Sequence, residues 1–206
     1  VGLGVKVSAV STEFEQGELT ASTGDFDFAI QGNGFFMIEM PDGTTGYTRN
    51  GNFLMAINPN GGTTLTTADG YSVLDSNGKA ITFDAATDTT RLSFDNYGNI
   101  FYKNAQGVIQ PTGVRIGAAQ FNNPSGLTKL GDSYFAESAA SGNARIEGQD
   151  AALSVSVIKN GYLEASSVQA VDEMVDMIVT QRAYEMNSKA ITASDEMLQQ
   201  ANNLRS

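Results

Sequence analysis

The sequence predicts a mainly β fold that closes on one long C-terminal α-helix: an antiparallel meander or irregular barrel, then a helical segment. Three observations predict it. Residues 162–206 contain no glycine and no proline, whereas all 22 glycines and all four prolines lie at or before Gly161. Before that point, Asp-Gly and Asn-Gly pairs separate short apolar runs, as in tight hairpins. After it, apolar residues recur three and four apart, the period of a helix face.

The strands follow in order. Leu3, Val5 and Val7 alternate with small or polar neighbours, as do Phe26, Phe28 and Ile30, and Phe35 to Met40 is a dense apolar run. Further strands are expected at 53–57, 71–74, 81–83, 92–94, 100–102, 114–121 and 134–135. Turns are expected at Asp42-Gly43, Asn60-Gly61-Gly62, Asp69-Gly70, Asn77-Gly78 and Gln106-Gly107. Asn58-Pro59-Asn60-Gly61, Asp75-Ser76-Asn77-Gly78 and Asp95-Asn96-Tyr97-Gly98 share a pattern and read as repeated hairpin turns. No strand–helix–strand rhythm occurs, which argues against a parallel sheet.

The expected organisation is a β body over 1–138, a small, polar linker over 139–160, and a C-terminal helical region over 161–206. Ser166-Ser167-Val168-Gln169 has the Ser-x-x-Gln form of a capping box. Asp172, Glu173 and Asp176 place negative charge at the start of the helix and Arg205 a cation at its end, as the helix dipole favours. A helix from Val168 to Leu204 would span roughly 55 Å at about 1.5 Å per residue. Val175, Val179, Ala183, Met186, Ala190, Ala193 and Met197, with Leu204 seven further, form one seam close to a coiled-coil pattern. Met177, Tyr184, Ile191 and Leu198 form a second line at spacing seven. Two apolar lines need neighbours on more than one side. These twelve residues are the candidate assembly interface; a helix lying across its own sheet is the alternative reading.

Composition removes several functions. The net charge is −11, from 23 acids against 12 bases, and both regions are acidic. Such a surface repels phosphate backbones and anionic membranes, so no nucleic-acid partner is expected. No run of 18 apolar residues exists, so no membrane insertion is expected. With no cysteine and no histidine, disulfides, thiol nucleophiles, the usual zinc sites and imidazole catalysis are gone. The chain opens on strand-like residues without a start methionine or a basic-then-apolar leader, and it is expected to be part of a longer one.

The remaining chemistry has plainer explanations. Asp25 and Asp27 could form an acid pair of the glycosidase kind, but a solvated face, or one Asp bonding a turn, accounts for them. Asp75-x-Asn77-Gly78 and Asp95-Asn96-x-Gly98 lack the distal Glu of a calcium loop and read as side-chain-closed turns. Gly32-Asn33-Gly34 and Gly2-Leu3-Gly4 neither open a helix nor carry a phosphate-loop lysine. Arg49, beside a turn, is expected to tie that turn down. No catalytic, cofactor or metal residues are expected, and the chain reads as non-enzymatic.

Several longer segments go further. Phe14-Glu15-Gln16-Gly17-Glu18-Leu19, Thr23-Gly24, Asp27-Phe28-Ala29-Ile30-Gln31-Gly32-Asn33-Gly34-Phe35-Phe36 and Tyr47-Thr48-Arg49-Asn50-Gly51-Asn52-Phe53 resemble the shared signature of bacterial flagellar rod and hook proteins. Gly161-Tyr162-Leu163-Glu164-Ala165-Ser166-Ser167-Val168, Glu173-Met174-Val175-Asp176-Met177-Ile178 and the run Thr180 to Lys189 are similar to the distal-rod branch in particular. The likeness covers nearly the whole chain; residues 85–125 share only general character. The family normally opens with a further helical segment that pairs with the C-terminal helix. It is missing from this sequence, so the helix here is expected to fray or to be covered by other molecules.

The resemblance implies a structural subunit leaving the cell by flagellar type III export and polymerising with copies of itself. The product is a helical tube across the periplasm that joins the proximal rod to the hook, turns inside the ring proteins of the cell wall and outer membrane, transmits torque and forms part of the export channel. A hook or proximal-rod subunit is the near alternative. A cell-wall carbohydrate-binding or hydrolysing β domain with a dimerisation helix is the distant one.

Overall fold

Glycine-closed turns set the layout of the β body. A computed structural model describes residue 6 and residues 12–58, 61–85, 87–104, 106–150 and 153–203, with the backbone alone at Asn202. The chain divides into two units, Val1–Ala165 and Ser166–Ser206. In the first, Met40, Asn58, Thr67, Asp75, Asp95 and Asn104 each play the same part. Each carbonyl accepts from the glycine N–H three residues on, and each N–H donates to the carbonyl four residues on. The glycines (43, 61, 70, 78, 98 and 107) have φ between 77° and 93°. This is the three-residue hairpin loop with a glycine bulge, and it needs the left-handed conformation that glycine adopts without strain.

These turns join a mainly antiparallel architecture. The largest sheet runs in the order Thr128–Gly131, Tyr134–Ala136, Thr45–Thr48, Phe35–Glu39, Ser72–Val73, Thr63–Thr67, Phe53–Ile57. Phe35–Glu39 also pairs with Ala118–Gln120, so the order is more tangled than a meander. Leu92–Phe94, Asn99–Lys103 and Ile109–Arg115 make a separate three-stranded sheet. The strand expected at Leu3, Val5 and Val7 lies outside the described residues, as do Leu204 and Arg205.

Phe35–Glu39 separates two apolar clusters, because neighbouring strand residues point to opposite faces. Phe36 joins Phe28, Ile30, Phe53, Leu65, Ile100, Ile116 and Ile158. Phe35 joins Met37, Tyr47, Leu74, Phe121 and Leu127. Fully burying each such side chain contributes about 1.5–3 kcal/mol. The alternation expected at Phe26, Phe28 and Ile30 is absent: Phe28, Ala29 and Ile30 are all fully buried. The reason is that Phe28–Gln31 pairs with Val157–Asn160 and also carries the Tyr162–Glu164 strand against it.

The segment 139–160 is not a linker. Arg145–Ile146 pairs with Ala118–Gln120, and Val157–Asn160 pairs with Phe28–Gln31. Its residues serve the interior: the polar Ser141, Glu147 and Ser156 are buried, and so is the apolar Ile158. The second unit carries the helix Ala170–Asn203, 34 residues long, or about 51 Å. It starts later than the Ser-x-x-Gln pattern predicts. Ser166 Oγ accepts from Val168 N–H at 3.1 Å, and Gln169 O receives the bond from Glu173 N–H. Ser166 therefore closes a local turn, and the capping box does not form.

Candidate assembly surface

Eleven of the twelve candidate interface residues lie on the helix Ala170–Asn203, and all eleven are exposed; Leu204 is outside the described residues. Exposure is large where the side chain is large: Val179 is 59% exposed, Met177 70% and Tyr184 77%. Successive residues turn by about 100° around a helix. The seam Val175, Val179, Ala183, Met186, Ala190, Ala193, Met197 therefore falls within an arc of about 80°. The line Met177, Tyr184, Ile191, Leu198 is centred roughly 130° away. Asp176, Asn187 and Ser194 lie between them, and Gln181, Arg182, Glu185, Lys189 and Glu196 occupy the remaining side. Met174 and Ile178, also exposed, interrupt that polar side in the first two turns. Thr180 and Thr192 turn their hydroxyls back onto Asp176 O and Lys189 O, at 2.8 and 2.9 Å. The helix is not a membrane span: none among the described residues is long and apolar enough.

The body carries a second feature, at the point where its chain runs on toward the helix. Leu19–Ala21 pairs antiparallel with Tyr162–Glu164 as a two-stranded ribbon. One end is held by Asp27, whose carboxylate accepts from Ser22 Oγ and from Asn52 Nδ2, and whose carbonyl accepts from Gly161 N–H. The other end is held by Glu164. Its Oε2 accepts from Arg49 Nε at 3.0 Å, and its Oε1 from Arg49 Nη2 and Gly17 N–H at 2.9 Å each and from Gln16 Nε2 at 3.1 Å. Arg49 Nη1 also donates to the carbonyls of Gly32 and Gly34, both at 2.7 Å. Gln16 completes the cluster through Ile30 O and Gly32 N–H.

Arg49 thus does more than hold its own turn. Glu164 was not singled out in the sequence, because its partners are 115 and 148 residues away. The available signal was indirect: Gln16-Gly17, Gly32–Gly34, Arg49 and Glu164 lie in separate signature segments, and here they meet.

The other candidates carry no chemistry. Asp25 is exposed while Asp27 is buried and occupied by Ser22 and Asn52. Asp75 Oδ1 accepts from Asn77 N–H and Lys79 N–H, both at 2.8 Å. Asp95 Oδ1 does the same for Tyr97 and Asn99 at 2.9 and 2.8 Å. Burial works to raise the Asp95 pKa, but the bonds from Asn99 and Tyr97 outweigh it and leave it lowered. No group of three or more potential metal ligands occurs among the described residues.

Known proteins match this chain along most of its length. Residues 159–204 match the family described as flagellar basal body rod FlgEFG protein C-terminal. Residues 29–102 match the flagellar hook protein FlgE/F/G D1 domain. The chain is 41% identical over 206 residues to the flagellar basal-body rod protein FlgG of Bacillus subtilis (strain 168), covering 100% of this chain and 75% of that protein. It is 39% identical over 207 residues to FlgG of Borreliella burgdorferi, covering 100% of this chain and 74% of that protein. The flagellar hook protein FlgE of the same organism is 37% identical over 130 residues, 57% of this chain and 29% of its own length.

Proposed function

The chain belongs to the flagellar basal-body rod FlgE/F/G family, a structural and non-enzymatic one, and from that premise we propose that it is a subunit of the distal rod. In this reading, copies of the chain polymerise into the helical tube that joins the proximal rod to the hook, turns within the ring proteins and carries torque outward. The same tube forms part of the export channel, and subunits reach it through the flagellar type III apparatus. The near 40% identity over the whole of this chain to proteins named FlgG supports the rod over the hook, to which the match is shorter.

The observation that carries the proposal is the exposed helix. The described residues of its seam and second line are all exposed, and sister helices on two sides would cover both. Alanines 183, 190 and 193 let those neighbours approach closely. A shaft that transmits torque needs many repeated contacts, and a helical polymer supplies them. Electron microscopy of the full-length native protein tests the reading. Tubes are expected, and antibody labelling of isolated basal bodies should mark the segment next to the hook. Discrete particles in place of tubes, or label confined to the hook, would overturn it.

A further inference from the structure

We propose that Arg49 is an anchoring residue: its fork on Glu164 converts a marginal ribbon into an ordered attachment for the chain that continues into the helix. The anchoring stands on geometry alone; only its consequence for assembly rests on the rod reading.

Beyond the Asp27 end and the Phe28–Gln31 strand it lies against, the ribbon has little to hold it. Each strand has three residues, and none of the six is buried. A two-stranded ribbon is marginal in water. At the end near the helix, the side-chain bonds converge on one carboxylate, which accepts from Arg49, Gly17 and Gln16. Backbones touch here: a Cβ on Gly17 would lie 1.8 Å from Ala165 O. Ala165 N–H in turn donates to Glu18 O at 2.9 Å.

The pair differs from an ordinary surface ion pair, which contributes little. The Arg49 and Glu164 side chains are 19% and 11% exposed. Each also holds main chain from other segments: Gly32 and Gly34 on the arginine side, Gly17 on the glutamate side. Only a planar guanidinium can fork onto both carboxylate oxygens while a third nitrogen serves two carbonyls. A lysine ammonium cannot reach all of them. None of these residues belongs to either apolar cluster; Arg49 only caps one from outside, its guanidinium 5.7 Å from the Phe35 ring centre, where a lysine ammonium can still sit. Loss of the fork should therefore loosen the ribbon and leave the core closed.

Hydrogen exchange on soluble full-length subunits tests this, with Arg49→Lys and Glu164→Gln as the variants. Exchange of the Gly17 and Ala165 amides should rise at least ~10-fold in Arg49→Lys and less in Glu164→Gln, while Phe35–Glu39 is unchanged. Arg49→Lys subunits should then form shorter tubes or none. Unchanged exchange at Gly17 and Ala165 would overturn the anchoring, as would equal loosening of Phe35–Glu39; loosened subunits that polymerise normally would overturn its consequence for assembly. If unsubstituted protein forms no tubes, the rod reading fails and the exchange result still decides the anchoring.

Discussion

Tyr134 donates its phenolic hydrogen to Asp69 Oδ2 at 2.5 Å, across 65 residues of sequence. The bond ties the Tyr134–Ala136 strand to the turn that ends at Gly70, and the Tyr71 ring packs edge-on against Tyr134 at 5.2 Å. Burial, then the Asp69 bond, push the Tyr134 pKa up to about 12. Tyr47, buried and bonded to Glu137, moves in the same direction.

These shifts predict alkaline sensitivity with a definite sign. An unfolded tyrosine ionises near pH 10, so between about 10 and 12 the folded chain retains a proton that the unfolded chain has lost. Stability then falls as pH rises. The Tyr134 contribution is fully present below about pH 10 and is lost through about 12. Denaturant melts across this range should show that loss, and Tyr134→Phe should flatten it. Ultraviolet titration should find the Tyr134 phenol ionising only toward about pH 12.

Glu147 predicts a larger effect in a less obvious place. It is 1% exposed and accepts from Ser156 N–H, Ser156 Oγ and Gln120 Nε2 at 2.8, 2.7 and 2.7 Å. Glu147→Ala would leave buried donors without acceptors, at about 3 kcal/mol. A chain of this length loses roughly 2–4 °C of melting temperature per kcal/mol, so a thermal melt should fall by about 6–12 °C. Glu147→Gln, which keeps the shape, should lose less than half of that.

How much of this was legible in the sequence follows from the range of each interaction. The turns at Gly43, Gly70, Gly78, Gly98 and Gly107 announce themselves because donor, acceptor and glycine lie within five residues. The helix shows equally well, since its period is local. Glu147 and Glu164 were invisible because their partners come from distant strands. The 139–160 segment misled for a physical reason. Small polar residues mark a linker when solvated, but Ser141 and Ser156 are buried, where the same groups satisfy the main chain. Apolar alternation failed at Phe28–Ile30 because a strand covered on both sides has no polar face to show.

The closed turns make their own prediction. Asp95→Ala removes an acceptor for two backbone N–H groups and for Asn99 Nδ2, yet retains Gly98 at φ 77°. The cost should be about 1–2 kcal/mol, read as a shift in denaturant midpoint without a change in slope. Gly98→Ala should cost more. It places a side chain in the left-handed region and 2.8 Å from Ile158 Cδ1, inside the larger cluster.

The exposed helix predicts an effect on assembly without one on folding. Val179 and Ala190 lie on the seam, and neither is buried in the subunit. Val179→Asp or Ala190→Glu therefore desolvates no charge in the free chain and should leave the melt of the β body unchanged within about 0.5 kcal/mol. In a tube whose inner helices meet along that seam, each copy would bury an unpaired carboxylate, and each burial costs several kcal/mol. Full-length protein with either change should remain soluble and fail to build rods, so cells carrying it should not swim. As a control, Arg182→Ala on the polar side should assemble. Motile cells with either seam variant would show that the stripe faces solvent in the finished structure, and the interface would have to be sought on the second line through Met177 and Tyr184.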